Sequence, residues 1–462
     1  MEFTRPILWK HGLFLQPQHL QVNDLYQQSR FEPLWEFAIP WFWGVAGMEL
    51  QESSLATMSF EIASGRFLFP DGTYTVFPGN AVVEPRSFDD AWDNRDKPLT
   101  VYLGLRKISQ TEPNVTMLEE MKGVAAVTTR YIARNSPETV QDIYLDGESG
   151  QVQVMQYSLR IFWEQEIAQL DNYDLIPVAR LEQMTERIRI VPGHIPPVLS
   201  ISVSERLLAI VRDVRDRLSA RGRQLESYKK LNSLSSGETD TRYLPYILAL
   251  SCLNRHVPVL NHICETGQSH PCSVYGMLRQ LIGEMSSFSN ALDVNGETAD
   301  GDRLPPYTHT NIWECFNRAS NVIETALGDF MAGPEFLGLM ERDGDTFYIE
   351  KLDRELFNPR NHFFLVFWTK MELSQLLDCI TRVAKVTSRQ FLPTIVKRAL
   401  AGIDLSFLAQ PPREAPGRSS GFFFRLDDSS KLWKQVLEDQ SVALHWDGAP
   451  DSLKVELMVV RR

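Results

Sequence analysis

The apolar positions of this chain change their period twice, and each change marks a different kind of structure. In the first third they come in short β-prone runs. Arg66-Phe-Leu-Phe-Pro-Asp-Gly-Thr-Tyr-Thr-Val-Phe77 holds two such runs joined by Pro70-Asp71-Gly72, which predicts a hairpin because Asp and Gly tolerate the positive φ of tight turns. Val101, Leu103 and Leu105 alternate with Tyr102, Gly104 and Arg106, the period of a half-buried strand. Further strands are predicted at residues 124–133, 152–163 and 187–191, and the aspartate-rich residues 86–98 read as a solvated loop. Several strands separated by turn signals predict a β-sandwich.

Pro192-Gly-His-Ile-Pro-Pro197 stops this pattern, since clustered prolines block both helix and ladder. From Ser204 onward the period becomes helical. Leu207, Val211, Val214, Leu218 and Leu225 follow spacings of four and three, with one skipped turn at Arg221, and form a single stripe. A second helix is expected from Asp240 or Thr241, with Leu244, Ile247, Leu248, Leu250 and Leu260 on its apolar face and Pro245 and Pro258 interrupting it. A third is expected over 273–288 with Met277, Leu278, Leu281, Ile282 and Met285 on one side, and a fourth over 311–327 after the polar linker 295–306. Together they predict a helical bundle.

The last third mixes both periods. Residues 336–342 and 346–350 flank Asp343-Gly344 and predict a second hairpin, and Asp146-Gly147 and Asp447-Gly448 are read in the same way. Phe363-Phe-Leu-Val-Phe-Trp368 is an unbroken apolar run of strand length and should be buried on both faces. A helix is expected over 371–387, a proline-rich loop around Pro411-Pro412 and Pro416-Gly417, and strands at 422–426, 442–446 and 453–460. The fold class that follows is α+β and multidomain: an N-terminal β-sandwich over 1–193, a central α-helical bundle over 194–328 and a C-terminal mixed α/β domain over 329–462.

Composition narrows the function. A length of 462 residues exceeds what one hydrophobic core supports, and 43% hydrophobic with 23% charged residues is ordinary globular usage. The net charge of -12 argues against general affinity for nucleic acid, which demands a basic surface. Residues 203–232 hold eight Lys or Arg against four Asp or Glu, read as a solvated helix face. There is no run of about eighteen apolar residues and no secretory signal at the N-terminus, so no direct membrane insertion and a cytoplasmic location are expected. Five cysteines, an odd and sparse set, fit reduced thiols.

Candidate chemistry is thin. Gly417-Arg-Ser419-Ser-Gly421 matches a nucleophile elbow, yet a proline-rich loop enters it and a phenylalanine-rich strand leaves, where the mechanism needs a strand entering and a helix leaving. Asp293-Val-Asn295-Gly-Glu297 opens like a calcium loop but has Leu304 where the bidentate acid belongs. Cys252, His256, His262, Cys264, His270 and Cys272 are six soft ligands within twenty-one residues, but paired Cys-x-x-Cys knuckles are missing, so they are read as buried thiols and helix-capping histidines with no metal. Phe37, Ile39, Trp41, Phe42 and Trp43 are read as core or protein interface. No acid, base and cleft come together, so no catalytic or cofactor residue is assigned.

Trp9-Lys-His-Gly12-Leu-Phe14-Leu-Gln-Pro17-Gln18-His19-Leu-Gln21 resembles the opening signature of the TssK family, baseplate components of bacterial type VI secretion systems. Phe69-Pro-Asp-Gly-Thr73, Leu175-Ile-Pro-Val-Ala-Arg-Leu181, and His270-Pro271 followed by Tyr275 and Leu278 agree with it. The resemblance implies a non-enzymatic homotrimer with a phage-like β-sandwich shoulder, a helical neck and a head. It implies a shoulder held by the wedge proteins TssF and TssG and a head meeting the membrane-complex proteins TssL and TssM at the inner face of the bacterial inner membrane.

On that reading Trp9, Leu13, Phe14, Pro17, Gln18, His19 and Leu20 belong to an irregular apolar segment that either staples its own sandwich or contacts the wedge. Leu207, Val211, Val214, Leu218 and Leu225 line either a trimer axis or the chain's own bundle. A phage-like receptor-binding adaptor and an enzyme of unrecognised class are the alternatives.

Overall fold

The computed structural model describes residues 4–121, 123–184, 187–226, 244–289, 292–298, 301–329, 336–410, 412 and 421–461. Its helices, in chain order, are α1 (Pro17–Ser29), α2 (Glu205–Leu225), α3 (Leu244–Thr266), α4 (Pro271–Met285), α5 (Ile312–Asp329), α6 (Leu373–Arg382), α7 (Leu392–Lys397) and α8 (Trp433–Asp439). The chain packs as two compact units. The first comprises Met1–Val214, Leu260–Gln280 and Arg303–Asn321, and the second Arg215–Val259, Leu281–Asp302 and Val322–Arg462. Among the described residues, no helix is long and apolar enough to cross a membrane.

A seven-stranded sheet dominates the first unit. Its order runs Arg187–Ile190, Tyr173–Met184, Leu99–Arg106, Met155–Trp163, Tyr131–Arg134 and Val115–Leu118, with Ala81–Val82 added in parallel to Met155–Trp163. Leu99, Val101, Leu103 and Leu105 are buried while Thr100, Tyr102 and Arg106 are half-buried, as the alternation predicts. Gly104 lets the ring of Phe162 approach, because a Cβ there would meet it at 2.6 Å. A three-stranded sheet, Gly44–Leu50, Ile62–Leu68 and Tyr74–Phe77, includes the hairpin expected at Asp71-Gly72, where Gly72 has φ of 81°.

That hairpin does more than turn the chain. Asp71 Oδ1 accepts the backbone N–H of Thr73 at 2.9 Å, and its Oδ2 takes a 2.8 Å ion pair from Arg130. Arg130 is buried; it also donates to the Arg106 carbonyl at 2.6 Å and to Thr73 Oγ1 at 2.6 Å, and lies over the rings of Tyr131 and Tyr157. Asp71 and Thr73 of the Phe69–Thr73 motif therefore hold an internal guanidinium.

Three sequence expectations fail here, wholly or in part, for local reasons. Residues 86–98 are a solvated loop only in part: Asp89, Asp90, Asp93 and Asp96 are exposed, but Phe88 and Trp92 are buried, and Arg86 makes a two-pronged pair with Glu166, each contact 2.7 Å. The strand predicted over 124–133 begins only at Tyr131, because the Glu84 carboxylate caps a helical turn at Val124–Ala126 through the N–H groups of Val124 and Ala125. Residues Gly150–Val152 pair with Glu138–Val140 and do not continue into Met155–Trp163.

In the second unit a five-stranded sheet has the order Phe336–Leu339, Lys454–Arg461, Asn361–Trp368, Phe422–Leu426 and Leu405–Leu408. The phenylalanine-rich strand Asn361–Trp368 is central, with Phe363 to Phe367 all buried, as an unbroken apolar run demands. A four-stranded sheet follows the order Glu341–Asp343, Thr346–Ile349, Val442–His445 and Lys385–Thr387.

The hairpin at Asp343-Gly344 forms, with Gly344 at φ 63°, but its first limb is split. Phe336–Leu339 pairs with Lys454–Arg461 in one sheet and Glu341–Asp343 joins the other. The helix expected over 371–387 stops at Arg382, and Lys385–Thr387 turns into a strand beside Ala443 to His445. The turn at Asp447-Gly448 links strands of different sheets and so closes no hairpin.

Among the helices, α2 starts where expected, with Ser204 Oγ accepting the Leu207 N–H at 3.3 Å. Pro258 sits inside an unbroken α3, and Leu248, assigned to its apolar face, is exposed. The expected start of that helix at 240–241, the loop proline Pro411, and Pro416, Gly417 and Ser419 lie outside the described residues.

Candidate protein-interaction surface

The N-terminal signature residues lie in the first unit and are displayed to solvent. Gly12, at φ 76°, turns the chain after Trp9, and Pro17 occupies the first turn of α1, where its missing N–H costs nothing. The segment is therefore helical from Pro17, a correction to the irregular one expected. Its start is fixed locally: His19 Nδ1 accepts the Gln16 N–H at 3.1 Å, and the His19 ring lies 6.3 Å from that of Trp9. None of the α1 residues is buried.

Phe14 is 80% exposed, Trp9 and Leu20 51%, while Leu13 and His19 are half-buried and Pro17 and Gln18 exposed. Leu8, Leu15, Phe31, Leu34, Phe37, Ile39, Trp41 and Phe42 continue the exposed apolar series. Monomeric proteins seldom leave so many large apolar side chains in water unless another surface covers them.

The foot of this arm is anchored. Trp41 adopts φ 62°, and its carbonyl accepts from His270 Nε2 at 3.1 Å; the Trp43 carbonyl accepts from His309 Nε2 at 2.8 Å. Both histidines thus carry their proton on Nε2. Their Nδ1 atoms accept, from the Cys272 N–H at 3.2 Å and from the Tyr307 hydroxyl at 2.7 Å respectively. The rings of Trp41, Trp43, His270 and Tyr307 all lie within 6.0 Å of that of His309, which is buried. Beside the anchor is a groove of about 410 Å³ lined by Glu32, Glu36, Trp41, Phe42, Trp43, Pro70 and Asp71. It combines carboxylates with aromatic faces, a lining suited to a cationic side chain.

Burial depresses the His309 pKa to about 4, helped by neighbouring His270 and opposed by the hydrogen bond to Trp43, and burial lowers that of His270 too. A folded-state pKa below the ordinary value of 6.5 means the unfolded chain binds protons first as pH falls. The stability that neutral His309 contributes is therefore complete above pH 6.5 and is lost progressively toward pH 4, in total about 3 kcal/mol. We expect the urea midpoint, followed by tryptophan fluorescence, to fall across that window, and the slope to flatten in His309→Asn. An unchanged slope in a folded variant contradicts this account of the anchor.

A second exposed apolar feature escaped the sequence reading. Ile143, Tyr144 and Leu145 are 84%, 93% and 75% exposed between Glu138–Val140 and Gly150–Val152, and Asp142 Oδ1 holds their turn by accepting the N–H groups of Tyr144 and Leu145. The signal was present as an apolar triplet bracketed by Asp142 and Asp146-Gly147.

The helix stripe behaves differently. Leu207, Val211, Val214, Leu218 and Leu225 are all at most 4% exposed in a single chain. Their apolar area is already removed from water within one chain, the burial that the intramolecular alternative expects. Of the six soft ligands, His270 serves the Trp41 anchor, Cys264 is buried and His262 exposed, while Cys252 and His256 approach Glu284. Asp293 spends Oδ1 on the N–H groups of Asn295 and Glu297, as a tight linker turn requires.

This fold occurs in type VI secretion baseplate structures. "The baseplate complex from the type VI secretion system" contains a chain that superposes with a TM-score of 0.60 at 21% identity, covering 100% of both chains. "Structure of the type VI secretion system TssK-TssF-TssG baseplate subcomplex revealed by cryo-electron microscopy" matches with a TM-score of 0.58 at 20% identity, over 70% of this chain and 99% of that one. A relative from Pseudomonas aeruginosa, "Type VI secretion system baseplate component TssK1", is 23% identical over 469 residues, the whole length of both. The family model described as "Bacterial Type VI secretion, VC_A0110, EvfL, ImpJ, VasE" matches residues 19–460, and the chain belongs to this family.

Proposed function

We propose that the chain is a structural baseplate subunit of a bacterial type VI secretion system and binds the wedge proteins TssF and TssG through its N-terminal arm. The carrying observation is the arm itself: exposed apolar side chains from Leu8 to Phe42 on a foot fixed by His270 and His309. Trp9, Leu13, Phe14, Pro17, Gln18, His19 and Leu20 are the contact residues, and the acidic aromatic groove at Trp41 and Trp43 takes a basic side chain of the wedge. Membership of the family and the naming of TssF and TssG in the matched subcomplex support this reading.

In the same proposal the chain works as a cytoplasmic homotrimer, with residues 1–193 as shoulder, 194–328 as neck and 329–462 as head. The head meets TssL and TssM at the inner face of the inner membrane. The division is supported by the strand-rich start, the α2 to α5 region between, and the mixed remainder. The trimer contact draws on surfaces other than the buried α2 stripe.

Mass measurement of the purified chain, alone and mixed with TssF and TssG, tests both parts. Three copies alone and a heavier co-eluting species with the wedge are expected. A monomer that ignores both partners would end the proposal.

A further inference from the structure

Cys252 and His256 stand one turn apart on α3, and Glu284 comes from α4. One ligand atom from each, a sulfur, a nitrogen and an oxygen, lies within 4.8 Å of the others. The two α3 residues are only 2% and 6% exposed. His256 Nε2 is fully buried and makes no hydrogen bond, although Glu284 Oε1 is 3.3 Å away. A buried imidazole nitrogen left without a hydrogen-bond partner is costly, so its orientation toward the carboxylate asks for an explanation.

Tetrahedral coordination supplies one. Zinc with nitrogen and oxygen ligands at about 2.0–2.1 Å places those two atoms roughly 3.3 Å apart, the separation seen here. We propose that Cys252, His256 and Glu284 bind a divalent cation of borderline softness, zinc above all, with water in the fourth position. The thiolate and carboxylate together neutralise the ion, which a buried site requires. Arg255 lies 3.3 Å from Glu284 Oε2 on the same carboxylate. Magnesium and calcium do not fit, because they take six or more oxygen ligands and avoid sulfur. The ion would pin α3 to α4 and act structurally, since metal that binds only the folded chain adds its binding energy to folding.

The test uses the full chain, stripped with a chelator and dialysed metal-free. Titration with zinc alone against a chromophoric chelator should show one equivalent taken up, with affinity reduced more than about 100-fold in Cys252→Ser and His256→Gln, beyond the effect of losing an outer-shell partner. Cobalt(II) alone, added to the unmutated chain, should give intense tetrahedral d–d bands and a sulfur-to-cobalt charge-transfer band, a readout that does not depend on any variant folding. No stoichiometric uptake by the folded stripped chain, a cobalt spectrum without the sulfur band, or variants that bind as tightly as the parent would each overturn the proposal.

Discussion

Replacing Trp9 and Phe14 together by aspartate is expected to abolish capture of TssF and TssG while leaving the chain folded. Aromatic anchors at protein interfaces commonly contribute 2 kcal/mol or more each, so the pair should weaken binding by more than about 100-fold. Both side chains are half or more exposed in the free chain, so thermal stability should move by no more than about 0.5 kcal/mol. A pull-down paired with circular-dichroism melting reads both quantities. Retained wedge binding by the folded double variant removes the arm from the interface and leaves Ile143-Tyr144-Leu145 as the next exposed apolar surface to test.

Asp71→Ala is expected to produce the largest loss of stability, about 3–5 kcal/mol, although Asp71 stands at a hairpin turn. Its partner Arg130 has a side chain only 3% exposed, and removing the carboxylate strands a guanidinium that water cannot reach. The remaining acceptors, the Arg106 carbonyl and Thr73 Oγ1, are uncharged. Arg130→Met should cost less, because Asp71 keeps 33% of its side chain in solvent and is readily rehydrated. Urea unfolding of the two variants decides the order; an Asp71→Ala chain as stable as the parent shows that the buried pair contributes nothing.

What could be read from the residues alone was whatever depends on neighbours in sequence. The hairpins at Asp71-Gly72 and Asp343-Gly344, the alternation at 99–106, the buried run Phe363–Phe367 and the Leu207–Leu225 stripe all announce themselves within a few residues. Helix α1 did not, because it buries no side chain and so carries no apolar period; only Pro17 at its first turn marks it. The split at Met340 and the short strand at Lys385–Thr387 depend on partners more than fifty residues away, Val455 and the strand at 442–445.

The interaction surface was half legible for the same reason. The signature residues were visible from the start, but the bonds fixing their foot join Trp41 to His270 and Trp43 to His309, separations of 229 and 266 residues. Likewise Cys252 and His256 show helical spacing in the sequence, whereas nothing there points to Glu284.

The strand Lys454–Arg461 lies between Phe336–Leu339 and Asn361–Trp368, yet it follows every other strand of its sheet in the chain. During synthesis the ribosome therefore releases four strands before the one that seals them, and the Asn361–Trp368 edge waits open with its row of phenylalanines. Exposed strand edges of that kind invite pairing with other nascent chains. Docking of residues 454–461 between Phe336–Leu339 and Asn361–Trp368 is what closes that edge.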